Sequence, residues 1–152
     1  MQTRKPGPGR PLDALLKQRQ WERDALALEA ARARRIWEER NGAYQAVLAL
    51  IAGAESQLRQ LYEAPAGIAL ERRHILEVFL KHQYEVATEW QHAVAAAQAV
   101  YAQVMGQLEG SRVAVKVLEK HGERKMLAHE QIERRRELRA ADDLWLLRKG
   151  SR

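Results

Sequence analysis

The chain has 152 residues, carries 26 basic and 20 acidic side chains for a net charge of +6, and contains no cysteine. That length allows one domain, and the lack of cysteine excludes a disulfide framework or a thiolate metal site while suiting a reducing cytosol. Aromatic residues make up 6% and charged residues 30%, a balance that argues against a compact ball and for long helices or a coiled coil.

Residues 1–11, MQTRKPGPGRP, are basic and rich in proline and glycine, and are expected to form a disordered basic head. No apolar segment follows them, so they do not resemble a secretory signal. Gly7 and Gly9 stand between prolines with no GK[ST] sequence behind them, which excludes a phosphate-cradling loop.

Helix 1 is expected over residues 12–62. Pro11 and Asp13 suit a first turn, where a missing N–H is harmless and a carboxylate meets the positive end of the helix dipole. Steps of 4 and 3 from Leu12 pass through Leu16, Arg19, Arg23, Leu26, Ala30, Ala33, Trp37, Arg40, Tyr44, Val47, Ile51, Ala54, Leu58 and Leu61. All but the three arginines are apolar, which is the seam of a coiled coil. Asn41-Gly42 resembles a turn and would support a bundle of four shorter helices. A loop there would reset the helical phase, however, and the phase runs unchanged from Trp37 to Tyr44. Gly42 and Gly53 are therefore expected inside the helix, at about 1 kcal/mol each against alanine.

The hairpin turn is expected at 63–68, because Pro65 is the only proline between Leu12 and Arg152, with Gly67 as a flexible exit. Helix 2 is expected over 69–149, with Glu71 in its first turn. Its seam reads Leu76, Phe79, Gln83, Val86, Trp90, Ala93, Ala97, Val100, Val104, Gln107, Ser111, Ala114 and Leu118. Gly106 and Gly110 either bend this helix or let its partner approach closely. Residues 90–108 lack Asp, Glu, Lys and Arg, but five polar side chains (Gln91, His92, Gln98, Gln103, Gln107) make direct membrane insertion costly.

The expected fold is all-α: a long antiparallel two-helix coiled-coil hairpin, a single domain over 12–149. Folding about residue 65 sets Trp37 against Ala97 and Val100, Trp90 against Tyr44 and Val47, and Leu12 near residue 123. The longer second helix then overhangs at the terminal pole over 124–149. That overhang carries Leu127, Ile132, Leu138, Leu144, Trp145 and Leu147, and helices gain most of their stability from packing. Either another protein surrounds it, or it doubles back, dimerises or frays. Residues 1–40 hold 10 basic and 6 acidic groups, 41–118 hold 6 and 7, and 119–152 hold 10 and 7. The positive charge thus gathers at the pole where both termini meet.

No catalytic constellation is present. The five histidines (74, 82, 92, 121 and 129) include no i, i+4 pair and no HExxH, so neither catalysis nor a metal or other cofactor is expected.

Three stretches carry a family resemblance: PLDALLKQRQWERDALALEAARAR near the start, GIALERRHILEVF after the turn, and VLEKHGERK with ERRRELRAADDLWLLR at the end. Together they resemble the FliJ family of flagellar export proteins and are similar to the SctO stalk proteins of injectisomes. The resemblance implies a non-catalytic central stalk whose two-terminus pole enters a hexameric export ATPase. It implies a hairpin body that bridges to an export-gate membrane protein and escorts export chaperones. It also implies a cytoplasmic protein, monomeric alone and peripheral at the inner-membrane export apparatus. The residues expected at the ATPase ring are Arg19, Arg23, Arg134, Arg135, Arg136, Arg139 and Trp145. By position in ILEVF, Phe79 matches a gate-facing aromatic, with Gln83, Val86 and Trp90 further along the same face. Read without the family, Arg19 and Arg23 lay their stems along the seam with their heads in water, and ERRRELR is a solvated face. Two rivals remain in view: a self-associating scaffold, and a DNA-binding coiled coil. The latter is disfavoured because the basic groups are interleaved with Glu, and no nucleic-acid partner is expected.

Overall fold

A computed structural model describes residues 10–64 and 69–150. It contains two helices, α1 (Arg10–Glu63) and α2 (Leu70–Gly150), packed antiparallel as a helical hairpin. At about 1.5 Å per residue they are roughly 80 and 120 Å long. α1 starts two residues earlier than expected, so Arg10 and Pro11 belong to the helix; the remainder of the basic head, and Pro65 with Gly67 in the turn, lie outside the described residues. Asp13 and Glu71 lie in the two first turns, and Arg148 and Lys149 in the last turn of α2, each on the favourable side of a helix dipole. The carbonyl of Ala69 accepts the amide of Arg73 at 3.0 Å, opening the α2 hydrogen-bond ladder.

α1 passes through Asn41-Gly42 without a break. A Cβ at Gly42 or Gly53 would meet nothing within 4 Å, so these glycines serve neither a turn nor a close approach. The same openness at Gly106 and Gly110 removes close helix contact as their purpose, and α2 is α-helical through both.

The hairpin comprises two compact units. The first is Ala25–Leu108. One of its core clusters joins Val47, Ile51 and Ala54 of α1 to Leu80 and Ala87 of α2, with Tyr44, Leu58, Leu76, Val86 and Trp90 against it. A second joins Ala30 to Val104 and Leu108, flanked by Leu26 and Met105. Between them Trp37 stacks on Tyr101, with centroids 6.0 Å apart and planes at 5°. Nearby, Arg40 Nη1 donates to the carbonyl of Ala93 at 3.4 Å. The core is rich in alanine (30, 33, 54, 87 and 97). The second unit pairs the α1 residues up to Asp24 with Glu109 onward. Here Val115 is 2% exposed, and a Cβ at Gly122 would lie 3.5 Å from Leu12 Cδ2. Leu12, the first position of the α1 seam, therefore lies beside Gly122.

The expected α1 seam is the observed one: of its fifteen positions only Arg19 and Arg40 are exposed. The α2 seam needs correction. Every seventh residue from Leu76 to Leu118 is buried or half-buried as expected, but the alternate positions are one residue further on. Leu80, Ala87, Leu108 and Val115 are buried, with Val94 and Tyr101 half-buried, whereas Phe79, Val100 and Gln107 are exposed. The physical reason is that α2 is apolar at both candidate sets along much of its length, and only facing α1 selects between them.

The overhanging end of the second helix

From Glu123 to Gly150 every residue except Glu133 is exposed, a length of roughly 40 Å at 1.5 Å per residue. Nothing among the described residues covers it. The helix persists because Ala, Leu, Glu, Arg and Lys are strong helix formers and because no proline interrupts it.

The expected ring-contact residues fall into two groups, both within the unit that holds the pole. On α1, Arg19 pairs with Glu22 at 3.0 Å and stays exposed, while Arg23 is half-buried at a seam position and forks onto Asp24 at 2.8 Å. On the overhang, Arg136 pairs with Glu133 at 2.9 Å. Arg134, Arg135 and Arg139 are exposed with no ion-pair partner among the described residues. Trp145 is exposed, with Lys149 Nζ 4.5 Å from its ring centroid.

Beyond Trp145 alone, Leu144, Trp145, Leu146 and Leu147 are each 58–72% exposed. Four consecutive residues at roughly 100° per residue point to every side of the helix, so this turn is apolar around its whole circumference. A helix apolar on one stripe fits a groove; one apolar all round calls for enclosure. A consecutive apolar quartet beyond the last seam position is the sequence signal for it.

The expected gate-contact residues do not form one exposed face. Trp90 and Val86 pack against the hairpin's own core, and Gln83 is half-buried at a seam position. Phe79 alone faces outward, on an apolar groove with Leu50, Gly53, Ala54, Ile75 and Leu76. The α1 side of that groove, Leu50 and Gly53, is not foreseen by a motif confined to helix 2.

No group of three or more His, Asp or Glu among the described residues is placed to hold a metal ion. No helix of the described residues is long and apolar enough to cross a membrane, the charge-free stretch 90–108 included.

An antiparallel two-helix hairpin with unequal arms and a bare helical end at the terminal pole is the class that fold and site define. The family model described as flagellar FliJ protein matches residues 8–150, nearly the whole chain, and the chain belongs to that family. Its role is accordingly one in flagellar export. No curated protein and no solved structure matches the chain.

Proposed function

We propose that this protein is the non-catalytic central stalk of a flagellar protein-export ATPase, with the overhang of α2 entering the lumen of the hexameric ring. The observation that carries this reading is the turn Leu144–Leu147, exposed and apolar on all sides. About 14 Å back along the helix stand the unpaired Arg134, Arg135 and Arg139. An apolar collar followed by a collar with carboxylates would satisfy both levels, with Arg19 and Arg23 at the mouth. Enclosing those four side chains removes several hundred Å² of apolar surface from water, at about 25 cal/mol per Å². Any effect on ATP hydrolysis then arises by biasing the conformations of ring subunits, since the stalk brings no catalytic group of its own.

The body of the hairpin would meet the export-gate membrane protein through the groove edged by Phe79, with Gln83, Val86 and Trp90 supporting that edge from within. Membership of the family supports this placement, chaperone escort and a peripheral position at the inner-membrane export apparatus as parts of the same reading.

The test is removal of residues 124–152. The truncated hairpin should keep its helical content, lose co-purification with the cognate ATPase, and no longer stimulate ATP hydrolysis. A truncated chain that stimulates like the full one refutes the stalk. A full chain whose apparent mass doubles with concentration, with no ring binding, favours self-association through the overhang.

A further inference from the structure

The charges of α2 between Glu119 and Arg139 are sorted by side. At roughly 100° per residue, Glu119, Glu123, Glu130, Glu133 and Glu137 fall within an arc of about 80°. Lys120, Arg124, Lys125, Arg134, Arg135, Arg136 and Arg139 fall within a separate arc of about 200°. The two arcs do not overlap, and the one ion pair between them, Arg136 with Glu133 at 2.9 Å, lies at their border.

This sorting works against the helix itself. It places like charges four residues apart at Glu119 and Glu123, Lys120 and Arg124, Glu133 and Glu137, and Arg135 and Arg139, against one opposite pair at that spacing, Glu130 and Arg134, each like pair being unfavourable by a few tenths of a kcal/mol. Elsewhere opposite charges at that spacing predominate, as in Arg34 with Glu38, Arg35 with Glu39 and Arg73 with Glu77, 2.7–3.0 Å apart, beside the like pairs Arg19 with Arg23, Glu85 with Glu89 and Arg112 with Lys116. A surface with so little local pairing keeps most of its charges for something outside.

We infer that residues 119–139 form a two-sided electrostatic surface that distinguishes among identical neighbouring subunits according to the side they face. The partner that fits is a ring whose lumen loops carry carboxylates, because the surface is net basic and its unpaired Arg134, Arg135 and Arg139 lie on one side. Subunits facing the Arg side are drawn inward and those facing the Glu side are held off. A helix is about 10–12 Å across with its side chains, and charge is screened over about 8 Å at physiological ionic strength. A loop on one side therefore senses that side alone. A uniformly basic helix would attract every subunit equally, and equal interaction with all states shifts none of them.

The inference rests on the stalk reading, and its test separates the two. The full chain carrying Glu119→Lys, Glu123→Lys, Glu130→Lys and Glu137→Lys leaves the Glu133–Arg136 pair intact and changes only exposed positions. It should keep wild-type helicity by circular dichroism and bind the cognate hexameric ATPase at least as tightly, with a steeper fall in binding as salt rises. It should lose most of the stimulation of ATP hydrolysis, at least fivefold. Glutamine at the same four positions should give an intermediate loss. A lysine variant that stimulates like wild type overturns the inference while leaving the stalk standing, and one that no longer binds the ring shows the lumen is not acidic, which also overturns it. A wild-type chain that neither binds nor stimulates the ring removes the stalk and the inference together.

Discussion

The unit Ala25–Leu108 and the overhang Glu123–Gly150 are built from similar residues and put them to opposite use. In the former, apolar side chains turn inward: Ala30, Ala97, Val104 and Leu108 are only 3–6% exposed. Exposed charges there are paired along the helix, as in Arg34 with Glu38 and Arg35 with Glu39. In the overhang, Met126, Leu127, Leu138 and the quartet Leu144–Leu147 are all more than half exposed, and like charges stand together. The first region stabilises the hairpin from within. The second contributes little to that stability, which is the pattern expected where burial is deferred until a partner arrives.

The largest effect that separates the regions is cavity formation. Leu108→Ala should lower stability by about 2–5 kcal/mol, because Leu108 is 3% exposed between Ala30 and Val104. Leu138→Ala, at a site 66% exposed, should stay within about 0.5 kcal/mol of wild type. Urea denaturation of the two variants checks both values. A loss at Leu138 approaching that at Leu108 would mean that the overhang is covered in the isolated protein.

The same contrast decides what was legible in the sequence. The single phase from Leu12 to Leu61 made α1 readable through Asn41-Gly42, since a loop there would have reset the 4-and-3 spacing on its far side. The approach of Leu12 to Gly122 followed from the position of the turn and equal rise in both arms. The rotation of α2 was harder, because Phe79 and Leu80, Val86 and Ala87, and Val100 and Tyr101 are neighbouring pairs apolar at both members. Only lower down, where Leu108 and Val115 outrank Gln107 and Ala114, does the sequence favour the observed face. The same one-residue shift placed Phe79 outside and left Trp90 inside, so a contact face read along one helix mixed exposed and packed residues. The polarised charge of 119–139 was present in the sequence, but ERRRELR read as a linear run conceals which side each residue occupies.

A middle-sized effect sharpens the comparison through the backbone. Gly106 and Gly110 lie inside α2 with open space where a Cβ would stand, whereas a Cβ at Gly122 would make ordinary contact with Leu12 at 3.5 Å. Gly106→Ala and Gly110→Ala should each stabilise the hairpin by roughly 0.5–1 kcal/mol through helix propensity alone. Gly122→Ala should stabilise at least as much, since it adds one packed methyl group at the last paired layer. Thermal melts of the three single variants test the order, and a destabilised Gly122→Ala would show that the end of the hairpin is closer-packed than this contact distance implies.

The smallest effect concerns a polar link between the arms, of a kind the overhang has no second helix to make. Tyr84 Oη donates to Glu55 Oε1 of α1, and this bond, ahead of burial and the carboxylate's charge, raises the phenol's pKa above its ordinary value of 10.0. A raised pKa in the folded state means the bond's stabilisation is complete at neutral pH, where the phenol is protonated, and is lost as the pH climbs through the raised value. Tyr84→Phe should therefore lower the melting temperature slightly at pH 7, less than any variant above shifts it except Leu138→Ala. The gap between variant and wild type should close at strongly alkaline pH. A gap of constant size across that range would assign the effect to packing of the ring edge instead of to the shared proton.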